Sequence, residues 1–545
     1  MATSSPKLFL LLLTILFSHT WVVNSSESDT YVYSQNSSCV TTRDSEVCYN
    51  NSTSIHVSHE GTNININSNG SSNSNSNSNL LQSLQVAISE TKKLSDQFIN
   101  AGYPNIIENK IGAVQDCREL HQSTLASLIR SQSRISSPNS KNLIDARTYL
   151  SAALTNKNTC LESLHYASGT LKQVLVNSVI NTYKHVGNSL SMVPKPEIRV
   201  PKHNRRLMGV PTWLSSKDRR FLQSTEHDPK EVLVVAADGT GNFSTITEAI
   251  RFVPNNSFYR TMIYVKEGIY EENVEIPSYK TNISLFGDGS DATVITGSRS
   301  MDGGWTTFKS ATLAVSGEGF LGRDIGFENK AGAEKHQAVA LRVNADKTAF
   351  YRCAMHGYQD TLYVHSFRQF YRECDVYGTI DFIFGNAAVV LQACKIESRM
   401  PLPGQITVIT AQSRDTPDED TGISIQNCSI LANKDLDSNI GSFKSYLGRP
   451  WKPYSRTVYL ESYIDDFIDP MGWTKWSLDQ VLFDKLYFGE YKNYGPGAGI
   501  QNRIEWLGFH SMNYDSAYDF TVSEFIARSG DDWLRSISLP YDDGI

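Results

Sequence analysis

Residues 350–394 read FYRCAMHGYQDTLYVHSFRQFYRECDVYGTIDFIFGNAAVVLQAC, and one short unit recurs in them: Phe350-x-x-Cys353, Tyr371-x-x-Cys374 and Leu391-x-x-Cys394. A fourth copy, Ile425-x-x-Cys428, follows, so the cysteines are separated by 21, 20 and 34 residues. The texture around them is short β-branched and aromatic runs cut by Gly, Asn and Asp, which reads as strands. A period near twenty built from strands without helices predicts a β-solenoid, each coil stacked on the last and the longer interval carrying a loop. Residues at one angular position in neighbouring coils then lie about 4.8 Å apart, the spacing of paired strands. Cys374, Cys394 and Cys428 are therefore expected to form a ladder with neighbouring thiols within disulfide reach. One bond can use Cys394, and the spacing leaves both Cys374 and Cys428 open as its partner.

Asp360 and Asp381 are also 21 residues apart, each seven residues after its cysteine, so they stack if the cysteines do. Gln337 lies 23 residues before Asp360, which suggests the same face one coil earlier. Aspartates also end solenoid strands for structural reasons, so spacing only nominates the pair. Two adjacent carboxylates do not both ionise readily; one is pushed toward its acid form while a nearby cation holds the other as carboxylate.

Outward from this region, the 545 residues exceed one ordinary compact domain, and a composition 40% hydrophobic and 20% charged is globular. Residues 1–26 open with Lys7 and an apolar run, Leu8 to Phe17, the layout of a secretory signal peptide. Sequons at Asn36, Asn51, Asn242, Asn282 and Asn427 fit that route. The net charge of −7 divides into +5 before residue 230 and −12 after it, which favours docking of the halves on each other and disfavours nucleic acid as a partner. Residues 61–79 form an Asn/Ser tract read as a flexible insertion. From Leu80 to about Tyr183, apolar residues recur at three and four, as in Leu81, Leu84 and Ile88 or Leu150, Ala153 and Leu154, predicting a helical bundle. Pairing of its cysteines in sequence order, Cys39 with Cys48 and Cys117 with Cys160, is the expected one of three connectivities. Residues 187–229 contain Pro194, Pro196, Pro201 and Pro211 and two dibasic sites, Arg205-Arg206-Leu207-Met208 and Arg219-Arg220-Phe221-Leu222, and read as a linker.

Two resemblances sharpen this reading. The segments Asp116-Cys117-Arg118-Glu119-Leu120 and Ser151-Ala152-Ala153-Leu154 through Thr159-Cys160 resemble the plant invertase and pectin methylesterase inhibitor family, which implies a four-helix bundle over residues 27–186. Gly268 to Glu272, Gln337 to Leu341, Tyr358 to Leu362, Asp381 to Gly385 and Leu447 to Trp451 resemble, in order, the five signature segments of pectin methylesterases. Asn493-Tyr494-Gly495-Pro496-Gly497 is similar to the plant branch. That resemblance implies a right-handed parallel β-helix over residues 230–545 and processing at the dibasic linker.

It further implies that Asp381 is the nucleophile, Asp360 the acid and then the base, Gln337 and Gln359 the oxyanion donors, and Arg449 the cation that orients Asp381. Trp451 and Trp473 are candidate platforms for a sugar ring, and Thr307 a substrate contact. No cofactor or metal is implied. The expected partners are methyl-esterified pectin and the chain's own pro-region or a separate inhibitor, for a monomer outside the cell that holds no membrane span once mature. Cys353 is expected to be a free thiol, because the region around Gly326 lacks the cysteine that plant relatives pair with it. A pectin-cleaving glycosidase or lyase would not account for the glutamines around the acid pair, and no Gly-x-Ser-x-Gly elbow points to serine chemistry. A binding module that inhibits another enzyme is the reading from a different class.

Overall fold

The computed structural model describes residues 39–42, 45–50, 53–56, 72–101, 105–196, 207–208, 232–477, 483–528 and 533–545, with side chains from residue 77 on except at 207–208. The expected signal peptide, the sequons at Asn36 and Asn51, and the dibasic pairs themselves lie outside these residues. The chain divides into a unit of residues 1–76 and a unit of residues 77–545. In the first, strands Cys39–Thr42, Ser45–Asn50 and Thr53–His56 form an antiparallel sheet whose register sets Cys39 opposite Cys48. The side chains that would make the expected Cys39–Cys48 bridge are outside the described residues.

Four helices follow: α1 (Ser72–Asn100), α2 (Gln115–Ile135), α3 (Ser140–His165) and α4 (Lys172–Met192). Helix α1 begins inside the Asn/Ser tract, correcting the flexible reading of residues 72–79. Once the amphipathic segment from Leu80 has nucleated, extending a helix backwards is far cheaper than starting one. Helix α4 runs past residue 186 because its apolar period continues through Leu190, and it stops before Pro194, whose ring disfavours helix at the preceding residue. The Asn139 side chain caps α3 by accepting from the Asn142 amide. Cys117 and Cys160 form a disulfide between α2 and α3. Tyr183 of α4 holds α2 through His121 Nδ1 at 2.8 Å and Thr124 at 2.9 Å, and Ser83 meets Ser189 at 2.8 Å between α1 and α4. No described helix is long and apolar enough to cross a membrane.

From Val232 the chain winds into a parallel β-helix of three sheets, with 7, 11 and 8 strands among the described residues. The repeat read from the sequence is the register of the largest sheet: Phe350 pairs with Tyr371, Tyr371 with Leu391 and Leu391 with Ile425. Phe350 and Tyr371 stack at 5.1 Å, filling the interior. The residue before each repeat cysteine, Arg352, Glu373, Ala393 and Asn427, has φ between 51° and 54°. This bend costs a non-glycine residue about 1 kcal/mol or more, and each coil offsets it alike. The amide at the bend donates to the next coil, Arg352 to Arg372, Glu373 to Gln392, Ala393 to Gln426 and Asn427 to Leu460, at 2.9–3.2 Å.

The cysteine ladder is present, but the expected disulfide through Cys394 is not: Cys353, Cys374, Cys394 and Cys428 are all free and buried. Instead three of the thiols reach back to a carbonyl of the preceding coil, Cys374 to Phe350, Cys394 to Tyr371 and Cys428 to Leu391, at 3.4–3.5 Å, and Cys353 donates to Tyr351 of its own coil. Burial pushes the Cys374 and Cys428 thiols far above their ordinary range, whereas at Cys394 between them burial is outweighed by hydrogen bonds from both neighbours and the thiol stands well below it. Alkylation followed by peptide mass mapping is expected to label these four cysteines after unfolding without reductant and to leave them unlabelled in the native protein.

Candidate active site

The seven-stranded sheet carries the candidate aspartates and Arg449. Its strands are β1 (Val274–Ile276), β2 (Leu313–Val315), β3 (Leu341–Val343), β4 (Leu362–Val364), β5 (Ile380–Gly385), β6 (Thr407–Gln412) and β7 (Ser445–Pro450), paired in that order. Leu362 of β4 pairs with Ile383 of β5, so Asp360 and Asp381, each two residues earlier, face each other on adjacent coils. The Asp360 amide donates to the Ile380 carbonyl at 3.0 Å. Both aspartates are left-handed, with φ 63° and 50°, a conformation that costs a non-glycine residue and that clusters at functional sites. At Asp381 the β5–β6 register also slips between Ile380 and Ile383, a bulge that turns the Asp381 side chain out of the strand's alternation.

Arg449 on β7 reaches across two strands to Asp381. Its Nε donates to Oδ1 at 2.8 Å and a terminal nitrogen to Oδ2 at 2.6 Å, the planar two-point pairing that only arginine makes. Burial pushes both carboxyls up, but the consequences differ. At Asp360 the charge of Asp381 adds to burial, and the pKa stands well above the usual carboxylate range. At Asp381 the Arg449 hydrogen bonds and charge oppose burial, and the rise is smaller. The Arg449 clamp thus favours the carboxylate at Asp381, while burial and the charge of Asp381 favour the acid at Asp360.

Gln337 and Gln359 flank the pair on adjacent coils, the Ala338 amide donating to the Gln359 carbonyl at 3.2 Å. Both side chains are half-buried, and neither carboxamide is hydrogen-bonded to another described residue. Trp451 is half-buried beside Phe384 and stacks on Trp476, whose ring lies 4.4 Å from the Arg449 guanidinium. Trp476 was missed by the sequence reading, and only its place one coil past Arg449 marks it. Thr307 is half-buried at the start of a short 3-10 turn, and its carbonyl accepts from Ser310.

Trp473 is a correction. It is fully buried, stacked on Phe488 at 4.3 Å, with Nε1 donating to Glu490 at 3.2 Å. It pairs in the sheet with Gly448 and props the Arg449 strand from inside, so it presents no face to a sugar.

The face bearing this site is covered by the bundle. Helix α3 lies on it with a polar stripe at spacings of four: Arg147 to Asp420 at 2.6 Å, the Ser151 hydroxyl accepting from the Asp420 amide at 3.2 Å, Thr155 accepting from Asn386 at 2.9 Å, and Thr159 meeting His365 Nε2 at 2.9 Å. One turn on, Glu162 pairs with Lys452 at 3.2 Å. Apolar side chains of the bundle, with Phe308, Tyr363, Phe384 and Trp451 of the solenoid, form one continuous cluster beside the aspartates. Asp116 of α2 is fully buried at the same contact, accepting from Ser163 at 2.8 Å and Thr306 at 2.7 Å.

A solenoid with an aspartate pair clamped by one arginine is a candidate acid–base site, and similarity to known proteins gives the family. The profile of the family described as Pectinesterase matches residues 232–531, and that of Plant invertase/pectin methylesterase inhibitor matches residues 34–192. A probable pectinesterase/pectinesterase inhibitor of Arabidopsis thaliana is 61% identical over 481 residues, covering 86% of this chain and 87% of its own. Pectinesterase 2 of Citrus sinensis is 46% identical over 464 residues, covering 85% and 88%. Among solved structures, a pectin methylesterase from carrot is 50% identical with a TM-score of 0.57, covering 59% of this chain and all of that one. The chain belongs to the pectinesterase family, carboxylic ester hydrolases, and carries an inhibitor-like N-terminal region.

Two outcomes follow from these surroundings. Trp473→Ala is expected to lower stability by about 3–5 kcal/mol, read as a fall in the denaturant midpoint of the full chain. Burial raises Asp116 to about 7, so between about 4 and 7 the folded state binds a proton that the unfolded state has lost. That stability is present below about 4 and lost as pH rises through 7; Glu419, also buried and raised to about 7, acts in the same direction. Thermal melts from pH 4 to 8 are expected to decline less steeply for Asp116→Asn than for the wild type.

Proposed function

We propose that residues 230–545 hydrolyse galacturonate methyl esters in pectin, releasing methanol and leaving acidic pectin. A carboxylate oxygen of Asp381 attacks the ester carbonyl, and the oxyanion that develops is met by the Gln337 and Gln359 carboxamides, which have no hydrogen-bond partner among the described residues. The bond to the methoxy oxygen then breaks as Asp360 delivers its proton to the departing methanol, leaving an acyl-enzyme on Asp381. Asp360, now a carboxylate, takes a proton from water as that water attacks the acyl carbon, which frees Asp381 and restores the acid. Arg449 keeps Asp381 aimed and ionised between turnovers. The observation carrying this reading is the aligned pair with unequal environments, one carboxyl under the charge of its neighbour and the other under a two-point arginine clamp.

The inhibitor-like region, proposed as residues 27–186, blocks this site until the linker at 187–229 is cut. Helix α3 seated on the catalytic sheet supports that role. Residues 1–26 direct export to the cell wall, where pectin is the substrate.

The test is methanol release from highly methylated pectin by the full chain before and after cleavage at a specific protease site built into residues 209–229, while polymer length is followed. Methanol is expected only after cleavage, with chain length unchanged. Asp381→Asn is expected to lose at least about a thousandfold in kcat, as removal of a nucleophile does. Shortened polymer without methanol would replace this reading with a glycosidase or lyase.

A further inference from the structure

Near its N-terminal end the solenoid presents a group of aromatic side chains that no described residue covers. The helix Ile246–Phe252 turns Ile246, Ala249 and Ile250 into the core, which leaves Phe252 on the solvent side, 67% exposed. Six and seven residues further on, Phe258 and Tyr259 are 96% and 86% exposed. Phe243 extends the group, its ring 5.4 Å from that of Phe252. Ile269 and Leu507, the other described large apolar residues more than two-thirds exposed, each stand alone in their segments. Single exposed apolar residues are ordinary, whereas a group of them marks a surface that something covers.

Between these aromatics lies Asn255-Asn256-Ser257, an Asn-x-Ser triplet beyond those at Asn242, Asn282 and Asn427. The loop is held on both sides of Asn255. The Lys280 ammonium donates to the Arg251 and Val253 carbonyls, and the Asn256 amide donates to the Tyr279 carbonyl at 2.6 Å. The Ser257 carbonyl accepts from the Thr281 hydroxyl at 2.8 Å and from the Asn282 carboxamide at 2.9 Å. Asn255 itself is exposed, and its carboxamide makes no hydrogen bond to another described residue.

The other triplets of the catalytic half are placed differently. Asn282 is half-buried, with its side-chain nitrogen engaged by Ser257. Asn427 is half-buried on the bend before Cys428. Asn242 is exposed, but its Oδ1 accepts from the Val234 amide at 2.8 Å. Of the four, Asn255 alone combines exposure with a carboxamide free of hydrogen bonds.

A sugar ring has a face of C–H groups that packs on an aromatic ring, and a glycan is bulky and soluble. Three or four residues of chain span at most about 10–14 Å, so Phe252, Phe258 and Tyr259 lie within reach of the first sugars on Asn255. We propose that Asn255 is an N-glycosylation site and that its glycan lies over these aromatics, keeping this end of the solenoid from associating with other surfaces. The co-reactant is an oligosaccharide carried on a lipid diphosphate. Asn255 Nδ2 gives up one proton and bonds to the anomeric carbon of that oligosaccharide, as the bond from this carbon to the diphosphate oxygen breaks and the lipid diphosphate leaves with the electron pair. The proposal rests on the export reading and is independent of the esterase chemistry. The loop leads into the strand Thr261–Val265, three strand steps before Thr348–Tyr351 in the coil of Asp360, roughly 14 Å along the solenoid axis.

The test expresses the full chain in plant cells, once with its own residues 1–26 and once behind the leader of another secreted protein. Glycopeptides are mapped by mass before and after enzymatic deglycosylation in heavy-oxygen water, which marks each asparagine that carried a glycan. Asn255 is expected to be marked in both forms, and also in Ser257→Thr, which keeps the triplet. Asn255→Gln is expected to bind the apolar-surface dye anilinonaphthalene sulfonate at least about twofold more than the wild type. Adding Phe258→Ser and Tyr259→Ser should return dye binding to the wild-type level, and methanol release after linker cleavage should be the same in all three. A bare Asn255 in a chain secreted behind either leader would overturn the site. Dye binding unchanged in Asn255→Gln would keep the site and overturn the cover. Secretion behind the borrowed leader only, with Asn255 glycosylated, would overturn the export reading and leave the site standing.

Discussion

The distance between stacked coils governs the rest of this molecule. Parallel strands in register stand about 4.8 Å apart, and a chain that repeats every twenty or so residues places chemically alike side chains at that distance. For apolar residues the result is a stacked interior, as with Phe350 on Tyr371. For Asp360 and Asp381 it is a conflict, because two carboxyls at this separation in a buried setting do not both ionise. The fold resolves the conflict with one distant residue: Arg449, 68 positions after Asp381, brings its guanidinium back by two further coils. The bulge and the left-handed backbone at Asp381 re-aim the carboxylate without disturbing the ladder on either side.

The same regularity makes the site easy to cover. A solenoid face is flat and long, and so is a helix. Helix α3 lays a line of small polar side chains, Ser151, Thr155 and Thr159, against loops that emerge at matching heights from successive coils. Its apolar neighbours meet Tyr363, Phe384 and Trp451, so the strip that excludes water from the contact also borders the aspartates. A contact of this kind combines hydrophobic burial with satisfied hydrogen bonds and leaves few polar groups stranded. Asp116 is an exception, with one carboxylate oxygen buried and unpartnered, which is why its proton matters.

The sequence was most legible where structure repeats. The spacing of Cys353, Cys374, Cys394 and Cys428 is the strand register, and the aspartates follow by simple counting. Pattern reading failed where the third dimension decides between equal local signals. Trp473 and Trp476 lie three residues apart, yet one is sealed against Phe488 inside the solenoid and the other stacks on Trp451 at its surface. Nothing in their immediate neighbours distinguishes them. The thiol ladder failed for another reason: its spacing permits a disulfide, but Cys374, Cys394 and Cys428 each have a carbonyl on the previous coil to bond instead. The stripe on α3 was invisible because a serine or threonine every fourth residue looks like an ordinary solvated helix face until its partner surface is known.

The position of the bundle in the chain also sets an order of events. Glu162 precedes Arg449 by 287 residues. At a synthesis rate of about 5–20 residues per second, the helix that lies across the aspartates leaves the ribosome roughly 15 to 60 seconds before the arginine that completes them. The bundle, with its own disulfide and core, is therefore present before the groove exists. Each new coil that stacks onto the solenoid meets a surface already waiting for it, and the aspartate pair is assembled beneath its cover.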